Sequence, residues 1–145
     1  MRDFRRKEAG FTLIEVLITV AVMSFALLGL AGLQITALKN NQSAHQRAQA
    51  TLLAYDAADR MRGNRNEALA GNYDTLITDP APSGTSMLAT DVASWKNALA
   101  ATLPSGNGSI ATDTATGIVT ILVQWDDSRG SGGATSEQWT METQL

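Results

Sequence analysis

The chain has no cysteine, a single histidine, three prolines and only 6% aromatic residues. Without cysteine there is no disulfide, no cysteine-ligated zinc and no thiol nucleophile. The compartment stays open, because an oxidising space permits disulfides without requiring them. The lone His45 sits among Gln42, Gln46 and Arg47 on a polar stretch, where a solvated side chain is expected. No G-x-S-x-G, Walker loop or histidine metal spacing is present. No catalytic residue, cofactor or metal is therefore expected. The formal net charge is −3, a poor balance for neutralising phosphates, so nucleic-acid binding is not expected. The most telling lack is of charge: between Phe11 and Leu38 the only charged residue is Glu15.

That run, charged only at Glu15, is 28 residues long, on the order of 40 Å as a helix, where a bilayer core needs about 20 residues. Before it stands "MRDFRRKEAG", with Arg2, Arg5, Arg6 and Lys7 against Asp3 and Glu8. This local excess of +2 leaves the remainder at −5. The basic flank predicts a single pass with the N-terminus cytoplasmic and the bulk of the chain exported. A cleaved secretory signal would have a shorter apolar region ending at a small-residue site. Here the run passes Ala21 and Gly29 unbroken. Gly29, Gly32, Ala26 and Ala31 are small residues suited to close helix packing in lipid or to local melting.

A carboxylate inside a spanning helix costs about 2.5–3.5 kcal/mol on insertion scales, less near the helix start, where the dipole favours it. The neighbours of Glu15 sharpen the reading. Gly10-Phe11-Thr12-Leu13-Ile14-Glu15 resembles the class III signal of type IV prepilins and pseudopilins. The resemblance implies that a membrane prepilin peptidase cuts between Gly10 and Phe11 and methylates the new Phe11 amine. The apolar helix is retained, first as an inner-membrane anchor and then as filament core. Residues four apart share a helix face, so the Glu15 carboxylate can pair with a Phe11 amine, its own or a neighbour's, and set subunit register.

Beyond Lys39 the pattern becomes amphipathic. Ala44, Ala48, Leu52 and Tyr55, extended by Met61, fall at near-helical spacing, and Asp56 and Arg60 are an i, i+4 pair. One helix is expected from about Phe11 to Arg62, stopped at Gly63-Asn64. Residues 63–90 read as loop, with apolar pieces at Leu69 and at Leu76–Ile77. A second helix places Val92, Trp95, Leu99 and Leu103 on one face, with Thr90 or Asp91 as N-cap and Pro104 as stop. Three strands follow: Ser109–Asp113, Gly117–Asp126 with Val119, Ile121, Val123 and Trp125 inward, and Ser136–Leu145 with Trp139, Met141, Thr143 and Leu145 inward. The three tryptophans are expected in the core. Asp126-Asp127 beside "SRGSGG" reads as a polar turn, since an EF-hand loop needs more ligand positions. Arg60, Arg62 and Arg65 read as a solvated helix end.

The expected fold class is α+β: a pilin-like long N-terminal helix, its N-half transmembrane, packed on a small antiparallel β-sheet of about three strands with an extra short helix. Residues 1–10 would be a cleaved cytoplasmic leader, 11–38 the membrane or filament-core half of the helix, and 39–145 a periplasmic headpiece. "LGLAGLQ", "AYDAADRMRGNR", "DVASWKNALAATLP" and "VTILVQWDD" are similar to the type IV pilus modification proteins, the PilV-type minor pilins. Major pilins often close a C-terminal loop with two cysteines, which this chain lacks. The resemblance implies a minor pilin that helps initiate pilus assembly within a tip or priming complex. Its partners would be other minor pilins, the major pilin, the prepilin peptidase and the inner-membrane assembly machinery. The alternative is a minor pseudopilin of a type II secretion system. An anchored enzyme or receptor that keeps its leader, and a DNA-uptake subunit, are the readings from other classes.

Overall fold

A computed structural model describes residues 10–130 and 132–145. The basic leader expected at 1–10 lies outside the described residues except for Gly10. The chain divides into two units, one ending at Leu38 and one comprising Lys39–Leu145.

Helix α1 runs Leu13–Gly63. It starts two residues later than expected because Thr12 acts as its cap: the Glu15 N–H reaches Thr12 Oγ1 at 3.4 Å and the Thr12 carbonyl at 3.1 Å. In the first unit every described residue is exposed. The hydroxyls there turn onto their own helix. Thr19 donates to the carbonyls of Glu15 and Val16, Ser24 to Val20 at 2.7 Å and Thr36 to Gly32 at 3.1 Å. Such back-bonding satisfies these three hydroxyl donors within the helix.

In the second unit, α1 beyond Lys39 lies with α2 (Arg65–Leu69), α3 (Met87–Thr102) and a sheet of β1 (Asn107–Asp113), β2 (Ile118–Trp125) and β3 (Glu137–Gln144). The sheet is antiparallel with β2 central. Ile110 faces Ile121 across β1 and β2, and Met141 faces Ile121 across β2 and β3. The β1–β2 turn closes with Gly117 N–H on the Asp113 carbonyl at 2.8 Å, and Gly117 takes φ +71°, where a Cβ would be strained. The layout is the α+β, pilin-like one expected.

β2 buries Val119, Ile121, Val123 and Trp125 as its alternation predicts, while β3 half-buries Trp139, Met141 and Thr143. Trp95 and Trp125 are each 1% exposed. α3 buries Val92, Trp95, Leu99 and Leu103 as expected, but its cap is Ser86, whose hydroxyl accepts the Ala89 N–H at 3.2 Å. Three further differences are instructive. The buried face of α1 is Gln46, Ala50, Ala54, Ala57, Ala58 and Met61; of the expected stripe only Met61 lies there, and Leu52 and Tyr55 are 62% and 52% exposed. The space over the sheet is already filled by Trp95, Trp125, Tyr73 and the branched side chains of β2. That leaves room for alanine methyls but not for Leu52 or Tyr55. The 63–90 stretch contains α2 and a bridge from Thr75 to Ile110, and it docks through Ala68 and Tyr73 while Leu76 is 66% exposed. Asp127, read as part of a polar turn, is buried.

Candidate functional site: the head of the apolar helix

The site begins where the helix does. Gly10 and Phe11 precede α1 in non-helical chain, and Phe11 is 84% exposed. The Gly10–Phe11 bond therefore lies outside the helix, in exposed chain. Glu15 lies in the first turn of α1, where the helix dipole favours a carboxylate. Thr12 and Glu15 stand in the T-x-x-E spacing of a capping box. Among the described residues no ion pair involves Glu15. Behind it, α1 is long and apolar enough to cross a bilayer by length and composition, and none of that apolar window is buried.

The headpiece supplies rigidity. Arg60 Nε donates to Asp56 Oδ2 at 2.8 Å and its Nη1 lies 3.5 Å from Asp91 Oδ1. The hydrogen bond to Asp56 raises the Arg60 pKa further above its already high value. The Tyr73 hydroxyl donates to Asp91 Oδ2 at 2.8 Å and accepts from Asn64 Nδ2 at 3.3 Å. Burial, reinforced by Asp91, pushes the phenol pKa up. Lys96, 5% exposed, donates to the Leu76 and Asp79 carbonyls at 2.7 and 2.6 Å. Its burial lowers its pKa.

The arginines are thus engaged, not a free basic patch: Arg62 pairs with Asp59 and reaches Thr143, and Arg65 donates to the Leu145 carbonyl. His45 is exposed, as expected. A cleft of about 240 Å³ is lined by Tyr73, Asp74, Thr75, Asp79, Leu88 and Val92 among others. The sequence reading missed the Tyr73–Asp91–Arg60 network. The i, i+4 spacing of Asp56 and Arg60 revealed one edge of it, but the other members come from separate elements.

The prokaryotic N-terminal methylation motif matches residues 5–31. That span takes in Gly10, Phe11, Glu15 and the first turns of the apolar helix. No curated protein and no solved structure matches the chain. The motif at the head of a long apolar helix, followed by a three-stranded α+β headpiece, supports a type IV prepilin-like protein. It likewise supports processing by a prepilin peptidase and anchoring in the inner membrane.

Proposed function

We propose that this chain is a minor pilin, made as a prepilin, cut between Gly10 and Phe11 and methylated on the Phe11 amine. It takes part in initiating type IV pilus assembly within a tip or priming complex with other minor pilins and the major pilin. The role is structural, not enzymatic. The observation that carries the reading is the methylation motif over residues 5–31 placed directly before an unburied, membrane-length apolar helix. Leader removal leaves Phe11 as a cationic terminus four residues before Glu15, in non-helical chain just ahead of α1, and extending the helix by two residues would bring amine and carboxylate onto one face. In an apolar filament core that amine and an acid of this or a neighbouring subunit satisfy one another, and a misregistered subunit would strand both charges. Residues Val16–Leu33 supply the packing surface, and the headpiece Lys39–Leu145 contacts sibling subunits in the periplasm.

The test is a strain lacking this chain's gene, scored for surface pili and for secretion of a folded exoprotein in the same cells. Lost or sparse pili with normal secretion are expected. Normal pili with blocked secretion would overturn the reading in favour of a type II pseudopilin.

A further inference from the structure

The two edges of the sheet differ. In β1, Ile110 exchanges main-chain hydrogen bonds with Thr75, each at 3.0 Å, so its outer edge already holds a bridge from the 70–80 stretch. β3 pairs with β2 alone, and among the described residues no strand or bridge lies beyond it. The Leu145 N–H reaches the Gly117 carbonyl at 3.4 Å. Bonded and non-bonded pairs alternate along an antiparallel ladder. Glu137, Trp139, Met141 and Thr143 therefore turn their main-chain groups to β2, and Gln138, Thr140, Glu142 and Gln144 turn theirs outward.

Natural sheet edges are blunted by short length, proline, lysine or a bulge. β3 has none of these: it is 8 residues long, EQWTMETQ, and its register with β2 runs unbroken. Its inward side chains are also incompletely covered. Val119, Ile121 and Val123 of the central strand are fully buried, whereas Trp139 and Met141, on the same face of β3, are only half-buried. A further strand would complete that cover. On the opposite face Glu142 is exposed and forms no ion pair among the described residues. It lines an open hollow of about 190 Å³ with Ile118, Thr143 and Gln144. Over Lys39–Leu145 the chain has eleven acidic against seven basic residues, a balance that favours a basic visitor.

We propose that the outer edge of β3 docks an extended strand of a different protein, one alternating apolar and basic side chains, as a fourth strand of the sheet. Outward N–H and C=O groups on every second residue of an edge are matched by main chain in the extended form. Apolar side chains of the visitor would lie beside Trp139 and Met141, and a Lys or Arg on the other face would meet Glu142. Direction disfavours a second copy. Arg47 meets Glu137 at the start of β3 and Arg62 reaches Thr143 near its end, so α1 after Lys39 runs along β3 in the same direction. Antiparallel pairing of two copies edge to edge would point their Lys39 ends opposite ways, which two chains anchored in one membrane do not allow. The inference concerns the headpiece alone and holds for a pilus and for a secretion pseudopilus alike.

The test is made on the full chain in its own cells, with a photo-crosslinking amino acid in place of Gln138. One dominant adduct is expected, whose crosslinked peptide, read by tandem mass spectrometry, alternates apolar residues with Lys or Arg. The same amino acid in place of Ser94, exposed on α3, is expected to give no such adduct. Thr140→Pro removes an outward N–H and spares the ladder to β2, and should cut the adduct about tenfold or more. Glu142→Lys leaves the main chain intact and should weaken the adduct several-fold, so it decides the matter where Thr140→Pro fails to fold. An adduct undiminished in a folded Thr140→Pro or in Glu142→Lys would overturn the proposal, as would an adduct with a second copy, or none at all. In the purified full chain in detergent, the Thr140 and Glu142 amides are expected to exchange with solvent faster than those of Met141 and Thr143. Equal protection would show the edge already closed and would overturn the proposal as well.

Discussion

Glu15 and Gly133 lie in different units of the chain, and substitutions at them separate assembly from folding. Glu15 is in the first turn of α1 and outside the headpiece core, so Glu15→Leu removes a charge without disturbing packing. The variant is expected to insert and to be cut at Gly10, yet to enter filaments at a small fraction of the wild-type level, read by immunoblot of sheared pili against cell-bound subunit. Normal incorporation would sink the amine-pairing account. Gly133→Ala is the folding counterpart. Its Cβ would overlap the Asp127 carbonyl, and overpacking of this kind costs about 1–3 kcal/mol. The expected outcome is a lowered unfolding midpoint with cleavage at Gly10 unchanged, since the two positions lie in different units.

At the scale of elements, α3 is held at its start by Ser86 and along its length by contacts with the 70–80 loop. Ser86→Ala removes the cap on the Ala89 N–H and is expected to cost about 1 kcal/mol, with hydrogen exchange accelerating first in residues Met87–Thr90. The Tyr73–Asp91 contact gives a pH signature. The folded Tyr73 phenol titrates above its ordinary value of 10.0 because it is buried. Its stabilising contribution is therefore complete below pH 10 and is lost as pH rises through the folded value. Lys96 has the opposite sign: its folded value lies below the ordinary 10.5, so the penalty of burying its charge is relieved as pH rises towards 10.5. Tyr73→Phe should therefore flatten the alkaline loss of stability, and Lys96→Met should steepen it, in unfolding curves taken from pH 8 to 11. An unchanged alkaline limb in Tyr73→Phe would show that the phenol is not the titrating group.

Over the whole molecule, legibility follows the range of the interactions. The head of the apolar helix is contiguous, so Gly10, Phe11 and Glu15 stand out together, whereas the Thr12 cap, though as local, went unread and moves the helix start from about Phe11 to Leu13. The strand alternation of β2 is equally local and predicted its buried face correctly. The inward face of α1 could not be read the same way. Its polar half carries two apolar tracks, and only the volume contributed by Trp95 and Trp125, from other elements, decides that alanines and not Leu52 face the sheet. The hydrogen-bond donor to buried Asp127 likewise comes from afar, Ser43, 84 residues away. This division of range implies a division of labour that can be tested. If the leader and helix head act independently of the headpiece, headpiece variants such as Ser86→Ala should still be processed. Intact mass after expression with a prepilin peptidase should then show a chain starting at Phe11 and one methyl heavier, for the wild type and the variant alike. Without the peptidase both should retain Met1–Gly10. A wild-type chain that keeps its leader in the presence of active peptidase would remove the prepilin reading altogether, and would return the molecule to the class of anchored receptors or enzymes.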